Sequence, residues 1–358
     1  MRSHSLANFL PGTIYNQSNL FLYLYRTQRK CYSYPMKNQA GLKIVAIGGG
    51  HGLSTALRGF KKIASELIAI VTVADDGGSS GALRRDIGIL PPGDIRNCMA
   101  ALSDDEEFLT QVLQYRFPAE SSVGGHNLGN LLLTALANIT GSFEQGVNEL
   151  SRLLSIHGKV IPSTLSDINL VADIETERNG AKLVETVRGE STITERNGRI
   201  IRLDIVPCDA AANPAALREI LSADLIAMGP GSLYTSVLPN LKVRGIHQAI
   251  QASHAKKIYV CNVSTQPGET DHYTCYDHAK AIQNALPNVS LDGIICNNNH
   301  EAALSVPVQW VKINEHLLSE FTVFQGDLID DQHPWRHDPD KLAATVLKAF
   351  QSGKAKDK

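Results

Sequence analysis

The segment Lys43-Ile44-Val45-Ala46-Ile47-Gly48-Gly49-Gly50-His51-Gly52-Leu53-Ser54, with the apolar run Leu67 to Val73 after it, decides the fold. Lys43 to Ile47 reads as a buried strand. The glycines read as a turn, Leu53 to Lys61 as a helix, and Leu67 to Val73 as a second strand. Together they form a βαβ unit. Strands that are apolar throughout, rather than at alternate positions, belong to a parallel sheet covered on both faces and joined by right-handed crossovers.

Outward from this unit the pattern recurs. Helical spacing is expected at Leu128 to Ala137, Phe143 to Leu154 and Ala215 to Leu221. Strands are expected at Asp224 to Met228, Lys257 to Cys261, Asp292 to Cys296 and Phe321 to Phe324. A final helix has Asp338 as N-cap and Pro339 in its first position. The stretch from about Lys159 to Val206 departs from this pattern: it alternates apolar and polar residues around Asn179-Gly180 and Asn197-Gly198, which are hairpin signals. The expectation is an α/β, Rossmann-like parallel sheet with helices on both faces and a β-rich insertion at about 159–206, the folded part spanning 41–352. Residues 1–40 are polar and without sustained period; an unordered extension and an over-long start, with Met36 as the true one, both fit. Residues 353–358 read as a tail.

Composition narrows the function. The 358 residues carry 34 Lys plus Arg against 36 Asp plus Glu, a formal net charge of −2, without the positive excess that phosphate-backbone binding uses. Aromatic residues make up 6% and are not interleaved with basic runs, so nucleic acid is not the expected partner. No apolar run reaches the ~20 residues of a membrane span, which argues against membrane insertion. Six dispersed cysteines without a CxxC pair read as reduced thiols, and the expected location is the cytoplasm. No metal-ligand spacing stands out.

The chemistry lies in loops that should follow sheet strands. The turn Gly48-Gly49-Gly50-His51-Gly52 sits between strand and helix, where backbone N–H groups and the helix dipole favour an anion. Leu53 breaks G-x-G-x-x-G and no Gly-Lys-Ser/Thr follows; tight packing alone is the plainer use of these glycines. After the second strand, Asp75 and Asp76 stand 25 and 26 residues beyond Gly50, about where an acidic residue meets a ribose in dinucleotide folds. The pair equally suits a divalent cation on a diphosphate, or a solvated turn.

Other loops add donors. In Pro91-Pro92-Gly93-Asp94-Ile95-Arg96-Asn97, Arg96 suits a phosphate with Asp94 orienting it, or Asp94 is a plain N-cap and Arg96 a surface residue. Gly125-His126-Asn127-Leu128-Gly129-Asn130 opens a helix with His126 and Asn130 on one face; His126 is a candidate acid, base or phosphate donor, or a cap. Gly229-Pro230-Gly231-Ser232-Leu233-Tyr234-Thr235-Ser236 is a second strand-to-helix turn with bare backbone and three hydroxyls, outside nucleophile-elbow spacing. Asn262 to Asp271 is a polar loop at the same edge, and Arg336 precedes the last helix. If these loops converge, their neutral donors suit a diphosphate, a ribose and a sugar. Asp75, Asp76 and His126 are the catalytic candidates of a rival reading, a phosphoryl-type transferase working by positioning and electrostatics. The glycine pattern disfavours an NAD(P) oxidoreductase.

The motifs Gly48 to Ser54, Val73 to Gly81, Pro91 to Cys98, Gly125 to Asn130 and Gly229 to Ser236, in this order, resemble the bacterial gluconeogenesis factor family (YvcK-like, UPF0052), itself similar to CofD transferases of phospholactyl groups. The resemblance runs from about residue 42 to the end. It implies a cytoplasmic protein that binds UDP-sugars such as UDP-N-acetylglucosamine, supports cell shape and peptidoglycan growth on gluconeogenic carbon sources, and has no established catalysis. It implies that the loop at His51 and Arg336 meet the nucleotide sugar, and that Asp75, Asp76 and Gly229 to Ser232 lie at the nucleotide edge. His51 stands where many members have threonine. Partners among cell-wall synthesis proteins belong to the same expectation, which leaves a homo-oligomer open.

Overall fold

Residues 41–178, 181–196 and 198–352 are described by the computed structural model. The extension at 1–40 with Met36, the Asn179-Gly180 turn, Asn197 and the tail at 353–358 lie outside the described residues.

Strands in chain order are β1 (Lys43–Gly48), β2 (Glu66–Val71), β3 (Lys159–Pro162), β4 (Asn169–Arg178), β5 (Ala181–Arg188), β6 (Arg199–Val206), β7 (Leu225–Met228), β8 (Lys256–Val260), β9 (Gly293–Asn297) and β10 (Val323–Gly326). Seven of them form one parallel sheet in the order β10-β9-β8-β7-β1-β2-β3. Its central strands are apolar end to end because helices cover both faces; Ile44, Ile47, Ile68 and Ile70 are fully buried. From β1 the chain winds outward through β2 to β3, then returns to the other side of β1 and winds out through β7 to β10. The order therefore reverses between β1 and β7. Loops leaving the carboxyl ends of these neighbours diverge and open a crevice there.

The β-rich stretch divides in two. Lys159–Pro162 pairs with β2 and closes the main sheet, and Val160 and Ile161 are both buried, as a two-sided sheet requires. Only β5-β4-β6 form the separate antiparallel sheet. β4 and β5 pair up to Arg178↔Ala181, but β6 pairs with β4 and not with β5. The segment leading to Gly198 is thus no hairpin: it crosses to the far side of β4 and carries a short helix, Glu190–Glu195. The helix expected from Leu53 starts earlier, at Gly50, and runs to Phe60. Apolar periodicity cannot register glycines that carry no side chain.

Candidate functional site

At the reversal point lies a cavity of about 600 Å³. One wall is the turn after β1, in which Gly49 caps the helix Gly50–Phe60 without a side-chain cap hydrogen bond and with no acid in the helix's own first turn. The facing wall is the turn after β7. The two turns meet backbone to backbone: a Cβ on Gly52 would come within 2.6 Å of the Gly231 Cα and N, and Gly231 itself has φ +146°, a left-handed conformation. After Ser232 the chain makes a five-residue π-helical turn, Leu233–Val237, rather than an ordinary helix start. Thr235 Oγ1 and the Tyr234 N–H donate to the buried Glu269 carboxyl at 2.7 and 3.3 Å, so that hydroxyl is already engaged.

The third wall is the loop after β8. Asn262, Ser264, Thr265 and Gln266 face the cavity; Asn262 Oδ1 accepts the Gly231 N–H at 3.2 Å, and Gln266 Nε2 donates to Ser232 Oγ at 2.7 Å. The mouth is edged by Val308, Trp335 and Arg336. His337, buried behind them, donates from Nε2 to the Cys261 carbonyl at 3.1 Å, and burial lowers its pKa to about 4, so it is neutral.

The cavity wall carries groups of both charges. Burial and then the charges of Arg336, Arg58 and Arg96 hold His51 below its ordinary pKa. The Arg336 guanidinium has no hydrogen-bond or ion-pair partner among the described residues. Three carboxyls share the wall, Asp75, Asp94 and Glu190, and Asp94 lies against the glycine turn, its Oδ2 2.5 Å from where a Cβ on Gly49 would stand. Burial raises Asp94 to about 6, with the charge of Asp75 adding to it and the Gly50 N–H opposing it. Burial also raises Asp75, against the pull of its hydrogen bond from the Gly77 N–H at 2.9 Å. Glu190 rises to about 8 through burial and then through the charges of Asp75, Asp76, Glu269 and Asp94.

Of the residues singled out in the sequence, Gly49, Gly50, His51, Gly52, Asp75, Gly231, Ser232 and Arg336 line this cavity. Gly48, Asp76, His126, Asn130 and Gly229 do not. The Gly48 carbonyl is taken by Asn240 Nδ2 at 3.0 Å and Gly229 donates to the Ile47 carbonyl at 2.9 Å, both ending strands. Asp76 faces the small sheet: its carboxylate accepts the Glu190 N–H at 3.0 Å, the Ser191 N–H at 2.9 Å and the Ser191 hydroxyl at 2.7 Å. A ribose or a cation would have to displace those donors.

His126 and Asn130 gather instead on Ser79, whose Oγ lies 3.1 Å from His126 Nδ1 and accepts Asn130 Nδ2 at 3.0 Å. Asn130 Oδ1 accepts Arg96 at 2.9 Å, and Asn97 accepts the other arm of that guanidinium at 2.9 Å. Arg96 is therefore neither a surface residue nor a phosphate clamp but the centre of a buried polar network behind the wall. Asp94, read as its orienting partner or as a cap, lies inside the cavity. Thr72, Glu190 and Trp335 carried no local signal. No short motif surrounds them, and only the fold brings them to the crevice.

Among the described residues no group of three or more His, Cys, Asp or Glu is arranged to hold a metal ion, and no helix is long and apolar enough to cross a membrane. Fold and cavity together define a doubly wound α/β protein with a crevice at its switch point. A family model described as "2-phospho-L-lactate transferase CofD" matches residues 44–351. The chain is 48% identical over 320 residues to a protein of Bacillus subtilis named "Gluconeogenesis factor", covering 85% of this chain and 97% of that one. It is 41% identical over 314 residues to its namesake in Halalkalibacterium halodurans, covering 85% and 95%. The crystal structure of a member of the UPF0052 family from Bacillus halodurans superposes with a TM-score of 0.77 at 40% identity, covering 86% of this chain and 99% of that one. The chain belongs to the CofD family, in its UPF0052, gluconeogenesis factor branch.

Proposed function

We propose that the cavity binds a nucleotide-diphosphate sugar, a UDP-sugar such as UDP-N-acetylglucosamine, and that the protein acts as a cytoplasmic binding factor for cell shape and cell-wall growth under gluconeogenic conditions. One observation carries this reading: the glycine turns after β1 and β7 and the unpaired Arg336 converge on one crevice, a cradle of N–H groups and positive charge suited to a diphosphate. Calorimetry of the full chain with UDP-N-acetylglucosamine tests it. Heat of binding is expected, weakened about ten- to hundred-fold in Arg336→Ala, the worth of a charge-assisted hydrogen bond. No heat at millimolar ligand would sink the reading.

The description of the matching family model favours a second reading, a phosphoryl-type transferase that uses a nucleotide-diphosphate donor. Here Asp75 is the carboxylate to test, because Asp76 is committed to the small sheet. A divalent cation of the donor would find Asp75 alone of that adjacent pair in the cavity wall. Turnover of a nucleotide-diphosphate donor with magnesium, lost in Asp75→Ala, would replace the binding-factor reading by this one.

A further inference from the structure

A large aromatic side chain stands at the mouth of the crevice. Trp335, immediately before Arg336 in the chain, lines the cavity and is still 47% exposed. Leaving so much apolar surface in water costs free energy that burial would recover. The turn that carries it is nevertheless firmly held. Asp330 Oδ1 accepts the N–H groups of Gln332 and His333, both at 2.8 Å. The Arg336 N–H donates to the His333 carbonyl at 2.8 Å, and the Asp330 N–H donates to the Arg336 carbonyl at 3.0 Å. Ser264 Oγ, on the loop after β8, donates to the Trp335 carbonyl at 3.1 Å and ties the turn to the third wall. The His333 ring stands nearly at right angles to the indole, with 5.3 Å between centres. Val308 adds an aliphatic side chain to the same edge.

We propose that Trp335 is the platform on which the base of the bound nucleotide stacks, beside a diphosphate held by Arg336. This rests on the nucleotide-sugar reading above and adds a base subsite to it. Of the parts of such a ligand only the base is aromatic and flat on both faces; the diphosphate is charged, and the ribose and the sugar carry hydroxyls around their rings. An aromatic ring on a fixed turn is matched by the flat part. The base is joined to the diphosphate through a single ribose, so a diphosphate at Arg336 brings the base within reach of the neighbouring indole. Stacking engages the π-face that every base has, so the platform supplies affinity for nucleotides as a class without reading which base is bound.

Fluorescence of the full chain tests it, because the sequence has two tryptophans and the other, Trp310, does not line this cavity. In Trp310→Phe the remaining emission, that of Trp335, should be quenched by UDP and by UDP-N-acetylglucosamine and left unchanged by N-acetylglucosamine 1-phosphate. By calorimetry, Trp335→Ala should weaken UDP and UDP-N-acetylglucosamine alike, about ten-fold. Trp335→Phe should keep most of that affinity, which shows that the variant chain is intact and that an aromatic face suffices. Quenching by the sugar nucleotide but not by UDP, with the loss in Trp335→Ala confined to the sugar nucleotide, overturns the inference in favour of a ring that packs on the sugar. Binding of both nucleotides with unchanged emission, and with unchanged affinity in Trp335→Ala, overturns the inference and leaves the nucleotide-sugar reading standing. Failure of the wild-type chain to bind either nucleotide overturns that reading, and the inference with it.

Discussion

The chemistry of individual side chains is set by the company they keep. Asp75 and Asp76 are neighbours in sequence with opposite fates: one faces the crevice, the other accepts three hydrogen bonds from the small sheet. Glu190 is the most sharply perturbed acid of the wall. Because its folded pKa of about 8 lies above the value of 4.5 expected for a free glutamate, the folded chain binds more protons than the unfolded chain between those limits. Its contribution to stability is therefore lost as pH rises from about 4.5 to about 8. Glu190→Gln removes that titration. The melting temperature of the variant should gain on that of the wild-type chain across this window and then run parallel, and a constant difference in melting scans would contradict it.

At the scale of elements, two contacts hold the crevice in shape. The turns after β1 and β7 touch through Gly52 and Gly231, where neither partner is a flexible side chain that can move aside. Ala is normally the better helix former by about 1 kcal/mol. Gly52→Ala should nonetheless destabilise by about 2 kcal/mol, since overpacking against backbone costs about 1–3 kcal/mol or more; denaturant unfolding measures it. The second contact is Asp76 with the helix Glu190–Glu195. Asp76→Ala strips the acceptor from two N–H groups and a hydroxyl, yet leaves the main sheet untouched. Its expected signature is local: amide exchange at Glu190 and Ser191 faster by about ten- to hundred-fold, with little change in exchange of the β1 and β2 amides. Uniform acceleration throughout would show that the small sheet and the main sheet open together.

For the molecule as a whole, the crevice joins the half of the sheet built from β1, β2 and β3 to the half built from β7 to β10. A ligand gripping both turns should raise the unfolding of both halves in one transition. At about 100 times its dissociation constant the gain is about 2.7 kcal/mol, or about 5 °C for a chain of this size. A thermal shift with UDP-N-acetylglucosamine that splits the transition would mean that only one turn is engaged. The sheet itself was legible in advance, because strands buried on both faces must be apolar along their whole length, as Lys43–Gly48 and Leu225–Met228 nearly are. The glycine turns were legible as well, since close backbone approach leaves glycine as its trace. Arg96 and His126 misled because a polar residue at a helix start looks the same in sequence whether it faces a ligand or a buried Asn or Ser.

The sequence by itself therefore determined the parallel sheet, the glycine turns at strand ends and the acidic and basic residues available to them, all properties encoded within a few neighbouring positions. Only the tertiary structure decided which of those residues share the crevice. That choice depends on strand order and on a small sheet that carries Glu190 to Asp76 across 114 positions of chain, and no local pattern records such a distance.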